Sequence, residues 1–392
     1  MREGITLEEV VRAYRTCLKG KRGTVDALRF EWRAEEECIN LWREYNTRTY
    51  RPSRSIVFIS HKPVQREIFG SAFRDRVIDT VIAQKLTPIV EKMYIDDNYS
   101  TRVGKGTLYG LRRVEQMVRE CSHDYTCDCY IMKLDIQSYF MSLPKDLLFQ
   151  KMERMIRRYY HEPDIELLLW NLHVIIMDRP ELHCVRKSRR SAWHGLPRNK
   201  SLFYSDGMHG VPIGKVISQM SALVFLDDLD HLIKGREGMK YYGHYMDDML
   251  FVHPSKERLL QVKEVVAQWL EQNQIRLHPK KLHLQHYKKG VLFCGGMIMP
   301  GRSYLSNRTG GNCLTAVERF NRQAQEHPAY AERHVDEFCS TMNSYFGMMQ
   351  HFSEWKLTHR IIRKIDPRWF QVMNVHGCRG RYKTFKTLKI EN

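Results

Sequence analysis

Tyr241-Tyr242-Gly243-His244-Tyr245-Met246-Asp247-Asp248-Met249-Leu250-Phe251-Val252 reads as strand, tight turn, strand, with two acids between the arms. Aromatic residues lead in and Met249 to Val252 lead out, so the flanks anchor the ribbon in a sheet while the turn exposes its carboxylates. An Asp-Asp pair at a turn is, by itself, most often two solvated aspartates. A second acid far upstream changes its weight. Ile131-Met132-Lys133-Leu134-Asp135-Ile136 is an apolar run with Asp135 at its end, passing through Gln137-Ser138 into Tyr139-Phe140. A carboxylate at a strand end, beside a hairpin that carries another, could hold two divalent cations. Magnesium accepts one or two protein carboxylates and completes its shell with phosphate and water. Only folding can bring Asp135 to Asp247.

The 392-residue chain is long enough for two or three subdomains, and 43% hydrophobic residues supply a globular core. Its net charge of +18 favours a polyanionic partner. No long apolar span, lipidation signal or signal-peptide core is visible, so the sequence predicts a cytoplasmic protein with no membrane partner. Ten cysteines in such a chain do not make a disulfide framework. The cluster Cys121, His123, Cys127 and Cys129 lacks a usual zinc spacing and reads as reduced thiols rather than a metal site.

Three ordered stretches carry a resemblance. Tyr245-Met246-Asp247-Asp248 resembles the catalytic box of reverse transcriptases, and Leu134-Asp135-Ile136-Gln137-Ser138-Tyr139-Phe140 resembles their first carboxylate motif. Between them, Gly210-Val211-Pro212-Ile213-Gly214-Lys215-Val216-Ile217-Ser218-Gln219 is similar to the family's remaining palm motif. Most reverse transcriptases have Gln-Gly followed by Ser-Pro there. Ile213-Gly214 with Ser218-Gln219 resembles the diversity-generating retroelement branch of the group II intron-like and retron-like superfamily.

The resemblance implies a right-hand α/β (α+β) polymerase fold with fingers, an antiparallel-sheet palm and a helical thumb. Residues 1–50 would form an N-terminal helical extension, 51–110 the fingers, 111–300 the palm with a basic loop at 179–207, and 301–392 the thumb and a basic tail. It implies an RNA-directed DNA polymerase that uses two Mg²⁺ ions, with Mn²⁺ as a substitute. Asp135, Asp247, Asp248 and the Ile136 carbonyl would serve the metals, and Lys281 would protonate departing pyrophosphate. Lys62, Arg66, Arg102, Phe140, Ile213 and Gly214 would receive the deoxynucleotide, with Phe140 set against its sugar. Lys105, Arg189, Arg190 and Tyr345 would meet nucleic acid. Partners would be template RNA, the cDNA or primer 3′-end, deoxynucleotides and a small basic accessory variability protein. The cDNA would carry errors at adenines. A retron-like or phage-defence enzyme is the nearest alternative, and a non-catalytic RNA-binding scaffold is another.

The remaining chain gives more local expectations. Thr6-Leu7-Glu8-Glu9 is a capping box opening a helix to about Lys19, and a second helix runs from about Thr24 to Tyr45. Ser55 to Ile59 and Arg66 to Phe69 read as a strand pair across Lys62-Pro63. In residues 179–207, cations interleaved with Trp193, Phe203 and Tyr204 suit single-stranded nucleic acid and a flexible solvated loop equally, with a protein-docking surface as a further alternative. Lys215 to Lys234 reads as a helix whose Asp227, Asp228 and Asp230 are surface charge rather than metal ligands. Past Arg302 the chain looks helical until a basic tail from Arg379 to Lys389, suited to RNA contact or disorder.

Overall fold

The computed structural model describes residues 4–61, 64–327, 329–352, 354–378 and 382–388. The chain divides into two compact units. The first comprises Met1–Val103, Lys133–Phe251 and Glu257–His283; the second comprises Gly104–Met132, Val252–Lys256 and Leu284–Asn392.

In the first unit, the capping box forms as expected. The Thr6 amide donates to Glu9 Oε2 (2.7 Å) and the Glu9 amide to Thr6 Oγ1 (3.2 Å), opening the helix Leu7–Leu18. The expected second helix is instead two, Val25–Trp32 and Ala34–Asn46. Arg33 leaves the helical region there (φ −123°, ψ 33°), and neither glycine nor proline marks the break in sequence. The two faces it separates bury Ala27 and Phe30 on one side, and Cys38, Leu41 and Tyr45 on the other.

Strands Ile56–Ser60 and Arg66–Gly70 pair antiparallel, with Val57 opposite Phe69 and Ser60 opposite Arg66. Alternation puts Val57, Ile59, Glu67 and Phe69 inside. A third strand, Val185–Arg186, joins Ile56–Val57 in parallel. The polar connection is therefore folded rather than free. Glu67, fully buried, accepts from Trp193 Nε1 (2.6 Å), Ser201 Oγ (2.7 Å) and the Leu202 amide (2.8 Å). A buried carboxylate tolerates its loss of water only when donors surround it, and three donors from one segment fix that segment. Gln65 adds bonds to the carbonyls of Ala192 and His194.

The helix Val216–His231 is buried on nearly every side, from Ile217 to Asp230. It precedes the hairpin strands Tyr241–Tyr245 and Asp248–His253, and the latter lies beside Tyr130–Asp135 in the sheet. The surface assignment of the helix acids holds only for Asp228, which is exposed and receives Lys151 at 2.7 Å. Asp227 and Asp230 are buried. An acid in a helix with no polar face has no water to point at and needs a buried partner.

The second unit holds the helix Thr107–Cys121, a three-strand antiparallel meander over Val291–Phe293, Gly296–Met299 and Arg302–Leu305, and the helices Asn307–Glu326, Tyr330–Met349 and Trp355–Arg363. Phe320, Phe338, Met342, Trp369 and Phe385 centre its core. The expected basic tail is instead an antiparallel hairpin of Met373–Cys378 with Tyr382–Thr387. Asn343 fixes it from the helix, exchanging two hydrogen bonds with the Phe385 backbone (2.9 and 2.8 Å). Arg381 and Lys389 lie outside the described residues. No helix among the described residues is long and apolar enough to cross a membrane.

Candidate active site

Asp247 and Asp248 sit at the hairpin turn, and Asp135 ends the neighbouring central strand. All three are partly accessible. The Asp247 carboxyl is pushed up to about 6, first by loss of water and then by the Asp248 and Asp135 carboxylates, with Lys281 opposing. The three acids are therefore close enough to repel. Two lysines answer that charge. Lys281 Nζ donates to both Asp135 oxygens (3.0 and 2.9 Å), and Lys133 Nζ lies 3.0 Å from Asp248 Oδ2.

Backbone pairing puts Lys281 there. The His278 amide donates to the Asp135 carbonyl (2.8 Å) and the Gln137 amide to the Arg276 carbonyl (2.9 Å), flanking a bridge between Ile136 and Leu277. This pairing uses the carbonyl before Ile136, not that of Ile136 itself.

Among the described residues, no three His, Cys, Asp or Glu side chains are grouped to hold a metal ion. The donors nevertheless fit a hard cation. They are carboxylate oxygens crowded enough to raise a pKa, a repulsion that a divalent ion relieves. Cys121, His123, Cys127 and Cys129 are likewise in no such group among the described residues, and the three cysteines form no disulfide.

The stretch around Ile213 is tied to the same region. The Val211 amide donates to the Phe140 carbonyl (2.8 Å), the Gly210 amide to Leu143 (2.8 Å), and the Phe69 amide to the Ile213 carbonyl (3.0 Å). Gly214 is required by this contact. Its φ is +119°, and a Cβ there would lie 2.9 Å from the Phe69 carbonyl oxygen. Ile213 is half-buried. Phe140 is also half-buried, whereas Tyr139 is buried with its hydroxyl bound to the Ala222 carbonyl. Of the two adjacent rings, Phe140 is the accessible one. Ser218 is buried in the helix and Gln219 is half-buried beside it.

Other expected ligands are placed differently. Arg102 is engaged internally: Nε with Glu91 (2.8 Å), Nη1 with the carbonyls of Ile95 (2.9 Å) and Asn98 (3.3 Å), and Nη2 with the Glu91 carbonyl (3.2 Å). It holds the turn at 95–98 rather than extending toward a phosphate. Arg66, Arg189 and Arg190 are exposed. Lys62 lies outside the described residues. In the second unit, the Lys105 ammonium lies 5.4 Å from the Tyr109 ring centre, and Tyr345 packs half-buried on the core.

Of two residues close to the turn, His244 escaped the sequence reading and Asp230 was expected as surface charge. His244 and Asp230 are fully buried and hydrogen-bonded at 2.9 Å. The available signal was a histidine in an otherwise apolar hairpin arm, following an acid in an otherwise apolar helix.

Residues 66–298, more than half of the chain, match the family described as reverse transcriptase (RNA-dependent DNA polymerase). The chain belongs to that family, whose members are nucleotidyltransferases, and it has the family's right-hand polymerase fold. It is similar to Protein YkfC of Escherichia coli (strain K12), 22% identical over 289 residues that cover 64% of this chain and 68% of that protein. Among solved structures it is similar to an apo telomerase from Candida tropicalis, at 11% identity and a TM-score of 0.44, covering 82% of this chain and 63% of that one. It is likewise similar to a Candida albicans telomerase in complex with a TWJ fragment of telomeric RNA, at 10% identity and a TM-score of 0.42, covering 80% and 55%. The chain thus spans less than two thirds of the length of those telomerases.

Proposed function

We propose that the chain copies an RNA template into DNA, adding deoxynucleotides to a 3′-hydroxyl, as the error-prone polymerase of a diversity-generating retroelement. The observation that carries the polymerase reading is the mutual crowding of Asp135, Asp247 and Asp248, three carboxylates drawn from two distant stretches. Asp135 and Asp247 would hold magnesium, with Asp248 at one remove and the Ile136 carbonyl assisting. When bound, such ions activate the attacking hydroxyl and steady the departing pyrophosphate.

The chain's own groups do the rest. The Phe140 ring stands where a ribose 2′-hydroxyl would clash, which selects deoxynucleotides. Gly214 lets the Ile213 backbone lie against Phe69, and this stretch would receive the nucleotide. Lys281 holds Asp135 through two hydrogen bonds; once released from it, the ammonium can give a proton to the leaving pyrophosphate. The exposed Arg66 would receive the incoming phosphate, and the exposed Arg189 and Arg190 would meet template. Residues 51–110 act as fingers, 111–300 as palm and 301–392 as thumb.

The retroelement assignment is supported by Ile213. Isoleucine has no side-chain donor or acceptor for the nucleotide and a stiff branched shape, so the nucleotide is held less firmly than by an amide. A template RNA and a small basic accessory protein would be the partners. Primer extension on RNA with each deoxynucleotide, with and without Mg²⁺, tests the activity. Sequencing the products for errors opposite adenine tests the branch.

A further inference from the structure

The turn that presents Asp247 is held in an unfavourable conformation. Met246, the residue just before it, has φ +54°, in the left-handed region that a side chain with a Cβ rarely adopts. Something must hold it there, and both peptide planes beside Met246 are fixed. On one side the Met246 amide donates to Ser100 Oγ (2.6 Å). On the other, the Met246 carbonyl lies 2.9 Å from His244 Nδ1. A carbonyl only accepts, so Nδ1 carries the proton. That carbonyl belongs to the peptide bond leading into Asp247. With both planes fixed, the φ and ψ of Met246 are set, and with them the place of the Asp247 Cα from which the carboxylate is carried.

The two clamping residues are themselves braced. His244 Nε2 is 2.9 Å from Asp230 Oδ2, and Asp230 Oδ1 accepts from Tyr242 OH at 2.6 Å. His244 and Asp230 are both fully buried, and Ser100 is almost so. The backbone of the Ser100 segment is stitched to the same strand. The His244 amide donates to the Asp97 carbonyl and the Tyr99 amide to the His244 carbonyl, each at 3.0 Å. This approach needs Gly243, because a Cβ there would lie 2.3 Å from Tyr99 Oη.

We infer that Ser100 and His244 are positioning residues for nucleotide addition, acting through Met246 to aim Asp247, with Asp230 holding the His244 ring in place. The inference rests on the polymerase reading above. It concerns how the acid is aimed, not which acid binds metal.

The test is single-nucleotide addition by the full chain carrying Ser100→Ala, His244→Phe or Asp230→Asn, with duplex affinity and Mn²⁺ affinity measured on the same preparations. Ser100→Ala removes one oxygen, and His244→Phe keeps a ring but no donor. Each should lower kcat about tenfold and weaken Mn²⁺ binding, while nucleotide KM and duplex Kd stay within about threefold, since a single lost hydrogen bond misaims Asp247 without touching substrate. In Asp230→Asn the amide can still meet Nε2, leaving Nδ1–H on the Met246 carbonyl, so most of the rate should survive. Wild-type kcat and Mn²⁺ affinity in folded Ser100→Ala would overturn the inference even if His244→Phe failed to fold. A parallel loss of kcat, KM and duplex binding would also overturn it, by showing general disruption. A wild-type chain that extends no primer would defeat the polymerase reading itself, and the inference with it.

Discussion

Asp247→Asn is expected to abolish primer extension and, in the absence of divalent metal, to make the protein more stable. The Asp247 carboxyl rises from its ordinary 3.8 to about 6 on folding, because it loses water and faces Asp248 and Asp135. A rise of that size corresponds to about 3 kcal/mol of lost stability at neutral pH. The residue is partly accessible, and solvent screening lowers the figure to about 2 kcal/mol. Asparagine has a similar shape and no charge, so it should recover that amount and raise the melting temperature by about 4–8 °C in a domain of this size. The sign with pH follows from linkage. A carboxyl whose pKa is raised by folding costs stability above that pKa, and the cost fades as the group becomes protonated in both states. The gap between variant and wild type should be full at pH 7, narrow as pH falls through the window from about 6 to about 4, and close below it. Thermal melts in EDTA across that range measure it. Repeating them with Mg²⁺ should stabilise the wild type and leave the variant nearly unmoved. A variant that melts at or below the wild type in EDTA at pH 7 would refute the claim that the three carboxylates crowd one another.

Phe140→Ala should admit ribonucleotides, read as the ratio of ribonucleotide to deoxynucleotide incorporation; an unchanged ratio in an active variant would move the gate off Phe140. Ile213→Gln should reduce errors opposite adenine on an adenine-rich template by about tenfold if it restores about 1.4 kcal/mol of discrimination, and sequencing of the cDNA checks it. Glu67→Ala should cost about 3 kcal/mol in denaturant unfolding, because Trp193, Ser201 and Leu202 lose a shared buried acceptor. The same change should expose residues 185–204 to proteolysis.

The hairpin that carries Asp247 and Asp248 is legible in the sequence because its signal is local: two apolar arms, a two-acid turn, and a further acid, Asp135, at a strand end. The expectation at Phe140 rests on its place within one motif, and Phe140 is more accessible than the adjacent Tyr139. What was not legible depends on distant partners. Nothing near Glu67 announces that its three donors come from residues 193–202. Asp227 and Asp230 looked like surface charge because a helix reading counts apolar positions and does not know which neighbours cover the polar ones. The same holds for Arg102, expected at the deoxynucleotide, whose guanidinium closes a local turn. The break at Arg33 and the C-terminal hairpin are tertiary outcomes. The hairpin is stabilised by Asn343 and by burial of Phe385, neither of which changes the local composition of a basic segment.

The central claim is that this chain polymerises DNA on RNA through Asp135 and Asp247. The most direct measurement is extension of a labelled primer annealed to an RNA template, by the wild-type chain and by Asp247→Asn, in Mg²⁺ and in EDTA, with RNA binding followed in parallel. The account predicts full-length cDNA only for the wild type in Mg²⁺, with RNA affinity nearly equal in both proteins because the basic surface is untouched. Extension by Asp247→Asn near the wild-type rate, or a wild-type chain that binds RNA and makes no cDNA, would contradict it.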